Sequence, residues 1–525
     1  MLVAPGPAIE ARGCAGLAVE NLSIVSVGAG SDPVVSMANS LGVRLEGLTM
    51  LVYGTADANA PAIGLSGTLF SVDIRDNTIV SPVGIARSPA RGSKIPYLAT
   101  MALRIEDNAL WSLRRGVSLD GVCLHLAETR VRGNNVLGCT QAGVTLTGAT
   151  VPGSGIDVSA NTLLVSGDGV VGAADGLRVE GNEVTRFGES AGGDGIVLAP
   201  GLDATGMDRC QVLANRIVGV GGTGIAVRTL VRSAMIKDNV IEGAAGGIVF
   251  EDRGSADHVA IENNQVIAIA PDSNDAIAAP VGIRIVATRK ADVSGNAIRG
   301  VGINAVQPQW RAGIQAVACA ALRIAANEIT DIGPAGEFLG SALGIEVVRP
   351  FDRADIADNM VRREETPERA ETKATWLALS VHAPAEMSVR RTAARVATIR
   401  LDDGSHLVVT GSWAFAVAAG SEAAGIHGNR LEGRGRSSLV RVVVLGDCAF
   451  DDNRCLQLMP SDEPIVLAGG MTMIAHGNRV LGGPRPLVLQ ADPKRLAVVG
   501  NITSGSILVG NSPLPGPWDA LNVVA

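Results

Sequence analysis

The stretch Ile74-Arg75-Asp76-Asn77-Thr78-Ile79 decides the fold, because its pattern returns along most of the chain. The pattern is an aliphatic residue, any two residues, Asn, any residue and a second aliphatic residue. Between Asn77 and Asn359 the copies lie 21 to 33 residues apart, and a recurring unit of this length indicates stacked repeats. The twelve strict copies have their Asn at Asn77, Asn108, Asn134, Asn161, Asn182, Asn215, Asn239, Asn264, Asn296, Asn327, Asn359 and Asn429.

A second pattern lies between these copies and consists of Gly followed by alternating aliphatic residues. Gly143-Val144-Thr145-Leu146 and Gly282-Ile283-Arg284-Ile285 are two examples. Both patterns have a period of two, which is typical of strands. A unit of two or three short strands cannot bury its inward face alone, but it can when it is stacked on its neighbours. The sequence therefore predicts an all-β parallel β-helix, a solenoid with coils about 4.8 Å apart.

We expect the repeated Asn to have a structural role rather than a catalytic one. Asn tolerates the left-handed backbone conformation that a sharp bend between two sheets requires. Asn side chains in register can also hydrogen-bond from coil to coil as a ladder. Gly is expected at the opposite corner, where a positive φ or a close backbone approach is needed.

The composition excludes several classes of protein. The chain has 525 residues, a formal net charge of −8, 47% hydrophobic residues and 3% aromatic residues. The hydrophobic fraction is too high for intrinsic disorder, and the 65 Gly residues lack the three-residue period of collagen. The mild negative charge predicts no nucleic-acid partner, because such a partner requires a basic surface.

The tandem Ile-x-x-Asn-x-Ile and Gly-Ile-x-Val units resemble the right-handed parallel β-helix repeats of the pectin-lyase-like superfamily. The resemblance extends over residues 70–360 and, more loosely, over residues 420–505. It implies a single-stranded right-handed parallel β-helix of about 17 to 20 coils with a short C-terminal cap. That superfamily includes pectate lyases, polygalacturonases, alginate epimerases, phage tailspikes and non-enzymes. The resemblance therefore implies a fold and leaves the function open.

Four segments are predicted along the chain. Residues 1–360 form the main repeat array, and residues 361–395 form a charged irregular insertion or interruption. Residues 396–508 continue the β-helix with looser repeats, and residues 509–525 form an extended Pro-rich tail that caps the last coil. The N-terminal coil has no capping helix, and an open coil end exposes unpaired backbone groups. We therefore expect a partner protein or a polysaccharide at this end, or a homo-oligomer.

Signatures of polysaccharide-cleaving β-helix enzymes are incomplete, so no catalytic residue is assigned. Resemblance to pectate lyases implies an Arg base beside Ca²⁺, and the nearest motif is Arg87-Ser88-Pro89-Ala90-Arg91, one residue shorter than in that family. Arg87 and Arg91 are therefore candidate catalytic residues, and a basic loop is the alternative. Of the polygalacturonase-like motifs, only Asp-Asp pairs such as Asp402-Asp403 are present.

One loop is a candidate ligand-binding site because it carries one of the few aromatic residues. Trp310 is accompanied by Arg311, Gln309 and Gln307. An exposed Trp beside planar amides and a guanidinium suits sugar stacking or a protein contact. The alternative is a Trp that covers a loop over the core.

Metal ligands are sparse, and no cofactor is predicted. Asp194, Asp203 and Asp208 are candidates for Ca²⁺ binding through oxygen ligands, with a Gly/Asp-rich turn as the alternative. His427 and His476 each precede Gly-Asn at equivalent repeat positions, so they can lie on one face. A metal site requires a third ligand, and none is evident beside them.

The cellular location stays open. The seven cysteines include no Cys-x-x-Cys pair, which favours buried free thiols over a disulfide framework. The first residues lack the basic and apolar regions of a secretory signal, and no apolar stretch is long enough to span a membrane. We expect no membrane span, and synthesis in the cytoplasm followed by non-classical export is one route.

Two functions are consistent with this sequence. The first is a non-catalytic β-helix scaffold or recognition module that binds a glycan or a surface, for instance in a phage-tail-like assembly. The second is a polysaccharide lyase or glycoside hydrolase that acts in a groove along one sheet. The incomplete motifs favour the first function.

Overall fold

The computed structural model describes two compact units, Met1–Asp257 and His258–Ala525. The described residues are all those of the chain except 5–6, 28–31, 54–59, 88–97, 151–154, 189–191, 201–205, 252, 270–278, 304–309, 334–340, 349, 363–374, 383–397, 403–405, 410–414, 418–422, 434–439, 444–445, 458–462, 469–470 and 491–494.

Each coil consists of three short strands joined by bends. In one coil these are Thr129–Arg132, Asn135–Leu137 and Ala142–Thr150. We call the sheet before the ladder Asn sheet A, the sheet after it sheet B, and the sheet of the Gly-aliphatic pattern sheet C. Each strand pairs in parallel with the equivalent strand of the next coil, as Val131 does with Val158 and Val136 with Leu163.

Strands of the first unit are assigned to the three sheets as follows. Sheet A contains β3 (Ala18–Glu20), β9 (Leu98–Glu106), β11 (Thr129–Arg132), β14 (Ile156–Ser159), β17 (Leu177–Glu180), β20 (Cys210–Leu213) and β23 (Leu230–Lys237). Sheet B contains β1 (Leu2–Ala4), β4 (Ser23–Val27), β6 (Thr49–Tyr53), β12 (Asn135–Leu137), β15 (Thr162–Val165), β18 (Glu183–Arg186), β21 (Arg216–Val218) and β24 (Val240–Glu242). Sheet C contains β2 (Ile9–Arg12), β13 (Ala142–Thr150), β16 (Asp168–Ala173), β19 (Ile196–Leu198), β22 (Thr223–Val227) and β25 (Gly246–Phe250).

Four longer strands of this unit continue round a corner. Two run from sheet C into sheet A, namely β5 (Val35–Glu46) and β7 (Pro61–Arg75). Two run from sheet B into sheet C, namely β8 (Thr78–Arg87) and β10 (Ala109–Ala127). Strand β26 (Ser255–Glu262) contains the division between the units.

The second unit repeats the same arrangement. Sheet A contains β29 (Thr288–Ser294), β32 (Ala321–Ala325), β35 (Arg353–Ala357), β38 (Thr398–Asp402), β41 (Ala423–His427), β44 (Asp447–Asp451), β47 (Thr472–His476) and β50 (Arg495–Val499). Sheet B contains β27 (Gln265–Ile267), β30 (Ala297–Arg299), β33 (Glu328–Thr330), β36 (Met360–Arg362), β39 (His406–Val409), β42 (Arg430–Gly433), β45 (Arg454–Gln457), β48 (Arg479–Leu481), β51 (Ile502–Thr503) and β54 (Val523–Val524). Sheet C contains β28 (Val281–Val286), β31 (Arg311–Val317), β34 (Ser341–Val348), β37 (Thr375–His382), β40 (Phe415–Val417), β43 (Val440–Val443), β46 (Ile465–Ala468), β49 (Leu487–Gln490) and β52 (Leu508–Val509).

The predicted all-β parallel β-helix is confirmed. Within the described residues, sheet B has ten strands in each unit when β8 and β10 are included, at the upper end of the predicted coil number. Aliphatic side chains such as Val131, Val144 and Leu146 fill the interior and are fully buried. Each contributes about 1.5 to 3 kcal/mol by leaving water, so the stacked aliphatic columns are the main source of stability.

The Asn side chains form the predicted ladder. Asn134 Nδ2 donates to Asn161 Oδ1 at 2.9 Å and to the Ile105 carbonyl oxygen at 2.9 Å, and Asn134 Oδ1 accepts from Asn108 Nδ2 at 2.9 Å. The same side-chain bond links consecutive members from Asn77 to Asn239, from Asn264 to Asn359, and from Asn429 through Asn453, Asn478 and Asn501 to Asn522. A buried amide with all its hydrogen bonds made fixes the register of each coil.

The left-handed bend lies one residue before the Asn, so the expectation that Asn itself adopts it is wrong. Asp107, Gly133 and Ala160 each precede a ladder Asn and have φ values of 55°, 66° and 53°. The ladder residues themselves do not have a positive φ. The physical reason is a division of roles, because the Asn must direct its amide inward while the preceding residue turns the chain.

Glycine at the corner before sheet C allows close packing. A Cβ at Gly143 would lie 2.9 Å from the Gly169 carbonyl oxygen, and one at Gly169 would lie 2.6 Å from Val184 Cγ1. Neither glycine has a positive φ. Glycine was expected here for a positive φ or for a close backbone approach, and the close approach is the reason at these two positions.

Regular structure extends into residues 361–395, which were predicted to be irregular, and into the predicted extended tail, residues 509–525. Strand β37 lies inside residues 361–395 and pairs with β34 from Ser341 to Val348. In the tail, β53 (Ser512–Pro513) pairs antiparallel with β52, helix α1 spans Gly516–Asp519, and β54 pairs with β51. Within the described residues, no helix is long and apolar enough to cross a membrane.

Candidate functional site

Sheet C of the second unit presents four polar residues in register on its outward face. Arg284 pairs with Gln315, Gln315 with Glu346, and Glu346 with Ser380. We call these four residues the polar column. Glu346 is 4% exposed and Ser380 is 6% exposed, so this outward face excludes much of the water. Polar groups in such a place need hydrogen-bond partners.

Two atoms of the polar column are buried without a partner. Gln315 Nε2 donates to Glu346 Oε2 at 2.8 Å, but within the described part of the chain Gln315 Oε1 accepts no hydrogen bond. Arg284 Nε, one coil earlier, is a buried donor, and it also has no hydrogen-bond partner among the described residues. Leaving a buried polar atom unpaired costs about 1 to 3 kcal/mol. A hydroxyl group can accept from the Arg284 donor and donate to the Gln315 oxygen, so a hydroxylated ligand or a water molecule suits this place.

The Gly-Ile-x-Val pattern directs its third residue outward, and from Ser118 to Ala226 in the first unit this residue is Ser, Thr, Val or Ala. There the equivalent residues include Val197 and Ala226, which pair in register. Both are small or aliphatic and are buried. The sequence carried this signal, because Arg284 and Glu346 occupy the variable position of the repeat. The polar column was missed because that position was interpreted as variable.

The predicted loop with Trp310 leads directly into the strand that carries Gln315. Trp310, which was expected to be exposed, is half-buried, and Arg311 is fully buried. Gly302 makes room for Arg311, because a Cβ there would lie 2.8 Å from Arg311 Cδ. Burial lowers the pKa of Arg311. Gln307 and Gln309 lie outside the described residues.

A second group of ionisable residues lies on sheet C of the first unit. Asp168, Asp194, Arg228 and Glu251 form what we call the carboxylate cluster. Arg228 contacts Asp194 Oδ2 at 2.6 Å and Glu251 Oε2 at 2.8 Å. Asp168 Oδ1 accepts from the Asp194 amide at 2.9 Å, and Asp194 Oδ1 accepts from the Thr223 amide at 2.6 Å. Asp168 and Asp194 therefore each bind the backbone of the next coil.

Burial shapes the acidity of this cluster. Burial raises the pKa of Asp168, although its backbone hydrogen bond and Arg228 act in the opposite direction. Burial also raises the pKa of Asp194, again against the effect of Arg228. Hydrogen bonding to Glu251 raises the pKa of Arg228. The cluster thus places two carboxyl groups with raised pKa, Asp168 and Asp194, near the guanidinium of Arg228. A carboxyl group with a raised pKa can act as a general acid.

Two of the three aspartates predicted as Ca²⁺ ligands, Asp194 and Asp208, have separate surroundings. Asp194 is buried in the carboxylate cluster, Asp208 donates its amide to Asp175 Oδ1 at 2.8 Å, and Asp203 lies outside the described residues. Among the residues that the structure describes, no group of three His, Cys, Asp or Glu side chains is arranged to hold a metal ion.

Of the candidate catalytic pair, Arg87 ends strand β8, where it pairs with Leu65. Arg91 lies outside the described residues. Catalysis by either residue stays a prediction.

His427 and His476 do lie on one face, with Asp451 between them. The three residues pair in register on sheet A of the second unit. His427 Nδ1 lies 3.1 Å from Asp451 Oδ2. Burial raises the pKa of Asp451, and the two histidines act against this. The sequence had indicated the histidines but not the carboxylate that joins them.

Comparison with known proteins supports the fold. Residues 98–298 match the family model described as a right handed beta helix region, which confirms the predicted right-handed β-helix repeats over these residues. No curated protein sequence matches the chain.

Two solved structures are similar at low identity. The catalytic unit of the thermostable GH87 alpha-1,3-glucanase from Streptomyces thermodiastaticus strain HF3-3 is 13% identical, with a TM-score of 0.34 over 73% of this chain and 62% of that chain. This chain therefore spans less than two thirds of the glucanase structure. The PL6 family alginate lyase AlyGC is 10% identical, with a TM-score of 0.27 over 100% of this chain and 97% of that chain.

Proposed function

We propose that this chain is a β-helix recognition protein that binds a polysaccharide at the polar column. The observation that carries the proposal is the pair of unpartnered buried atoms, Arg284 Nε and Gln315 Oε1. One is a donor and the other an acceptor, and they belong to neighbouring coils about 4.8 Å apart. A sugar hydroxyl group can bond to both, because it accepts and donates at once.

Neighbouring groups add to this argument. Glu346 Oε2 accepts a hydrogen bond from Gln315 Nε2, so Gln315 Oε1 can accept one from a ligand. A side chain fixed in this way loses little entropy when a ligand binds. Trp310, at the start of the same strand, remains the candidate for stacking against a sugar ring.

The test is a panel of pectins, alginate, bacterial capsule and O-antigen, with binding recorded for the wild type and two variants. Gln315→Leu removes the unpartnered oxygen, and we expect at least tenfold weaker binding. Thr145→Val is the matched control, because Thr145 occupies the same outward position of sheet C in the first unit. It should bind like the wild type. Equal binding by wild type and Gln315→Leu would disprove the site, and binding to no member of the panel would leave water as the partner of both atoms.

A second candidate function is polysaccharide cleavage at the carboxylate cluster. It is favoured by the raised pKa of Asp168, because a general acid must keep its proton near the working pH. Reducing ends and unsaturated uronates are therefore measured in the same panel. Cleavage that Asp168→Asn abolishes would favour the enzyme, whereas binding without cleavage favours the recognition protein.

A further inference from the structure

We propose a second binding site, for an anionic polysaccharide, at three arginines on sheet B of the second unit. Arg430, Arg454 and Arg479 pair in register on consecutive coils, and all three are exposed. We call them the arginine column. The arginine column uses a different sheet and different coils from the polar column, and the inference does not depend on the function proposed above.

Among the residues that the structure describes, the arginine column has no counter-charge. Within the described part of the chain, none of the three guanidinium groups has a hydrogen bond or an ion pair, although the chain as a whole is acidic with a net charge of −8. Like charges on directly adjacent strands are destabilising. Two unit charges about 5 Å apart repel by about 1 kcal/mol even in bulk water. The column therefore carries a small cost that an external anion would remove.

The first unit shows how sheet B neutralises an arginine at the same position. Arg216 also follows a ladder Asn, and it pairs in register with Glu183 of the preceding coil. Arg216 Nη1 lies 3.3 Å from Glu183 Oε1. For Arg454 and Arg479, the place of Glu183 is taken by another arginine. The position after the ladder Asn can therefore carry a carboxylate beside an arginine, but Arg430, Arg454 and Arg479 all occupy it in the arginine column.

The geometry of the arginine column matches a linear polyanion. The guanidinium groups originate from strands about 4.8 Å apart, so they present a row of positive charge rather than one point. Each guanidinium can bind a carboxylate through two parallel hydrogen bonds. A polyuronate carries one carboxylate on every sugar and can occupy the row with several of them.

The test compares two probes with the same backbone. Polygalacturonate carries free carboxylates, and highly methyl-esterified pectin has most of them neutralised. We expect the wild type to bind polygalacturonate at least tenfold more tightly than the ester, and the affinity to fall as salt is added, because exposed charges are screened. Arg454→Gln should weaken polygalacturonate binding at least tenfold. Arg216→Gln removes an exposed arginine at the same sheet position and should change binding less than twofold.

Three results would overturn the site. The first is that polygalacturonate does not bind at low salt, and the second is that both probes bind with equal affinity. The third is that Arg454→Gln and Arg216→Gln lose the same amount of affinity for polygalacturonate. Gln315→Leu is measured in parallel to separate the two sites. If Gln315→Leu loses polygalacturonate binding while Arg454→Gln keeps it, the ligand belongs to the polar column and the arginine site is wrong. Because all three arginines are exposed, circular dichroism should confirm that the variants fold.

Discussion

Asn134 donates its side-chain amide to Oδ1 of Asn161 over 2.9 Å, while Asn135, the next residue along the chain, faces solvent. The same side chain therefore has two roles at adjacent positions. Asn134 lies inside the coil and belongs to the hydrogen-bonded ladder, whereas Asn135 is an exposed surface residue. This contrast provides a matched pair of substitutions.

Asn134→Ala should lower the free energy of unfolding by about 3 kcal/mol, because it leaves the Asn108 amide and the Ile105 carbonyl without their partner inside the coil. Asn135→Ala should change it by less than about 0.5 kcal/mol, since it is exposed. Urea unfolding of the two variants measures both effects. A similar loss in both variants would show that the ladder does not provide the stability assigned to it.

The bend before the ladder offers a second matched pair. Ala160 and Gly181 occupy equivalent positions in consecutive coils, with φ values of 53° and 62°. A left-handed conformation costs a residue with a Cβ about 1 kcal/mol. Ala160→Gly should therefore raise stability by somewhat less than this, because glycine also gains freedom in the unfolded chain. Gly181→Ala should lower stability by a similar amount, since an added Cβ meets no atom within 4 Å and only the conformation is strained. Thermal unfolding of both variants tests the signs, and destabilisation by Ala160→Gly would contradict this account.

The carboxylate cluster predicts a dependence of stability on pH. Burial raises the pKa of Asp168 above the ordinary aspartate value of 3.8, so the folded state holds this proton more tightly than the unfolded state does. The stability contributed by the protonated side chain is complete below pH 3.8 and is lost as the pH rises through the folded-state pKa.

Asp168→Asn cannot ionise and keeps an oxygen for the Asp194 amide. It should match the wild type at pH 3 and melt about 2 °C higher at neutral pH. Melting curves between pH 3 and pH 7 measure the difference. If the wild type and the variant depend on pH in the same way, the assigned effect of burial on Asp168 is wrong.

Thiol reactivity tests the packing of the coil interior. Cys139, Cys210 and Cys319 are buried free cysteines, and burial raises the pKa of Cys139 and Cys210 to about 12 and that of Cys319 to about 11. Cys14 is half-buried. The side chain of Cys123 is outside the described part of the chain, so the experiment uses a Cys123→Ser background.

In that background a disulfide reagent at pH 8 should modify one thiol in the folded protein, and Cys14→Ser should remove it. The other thiols should react only after unfolding, because a reagent attacks the thiolate and needs access to it. Rapid modification of two or more thiols would contradict the packing of the interior.

The repeat pattern was sufficient to predict the coils, because inward aliphatic residues and the ladder Asn are fixed by packing in every coil. It was not sufficient to locate the bend. The residue with positive φ is Asp107 in one coil, Gly133 in the next and Ala160 in the third, so it has no constant identity. The left-handed conformation was therefore assigned to the constant Asn, although the residue before it adopts this conformation.

The candidate site was only partly predictable for a related reason. Outward positions of a β-helix do not have to satisfy the interior, so one sequence gives little basis for separating a binding residue from a solvated one. Arg284 and Gln315 become informative only when the register places them side by side. Arg311 was predicted to bind a ligand, but it is buried, and Gly302 provides the space for it. Such long-range complementarity cannot be inferred from the local sequence.

The most direct test of polysaccharide recognition is a calorimetric titration of the wild type, Arg284→Met, Gln315→Leu and the double variant with each member of the panel. Recognition at the polar column predicts saturable binding of at least one polysaccharide and a loss in each single variant. It also predicts that the two losses are not additive, because one hydroxyl group contacts both side chains. Binding to no member of the panel, or full binding by both single variants, would contradict the account.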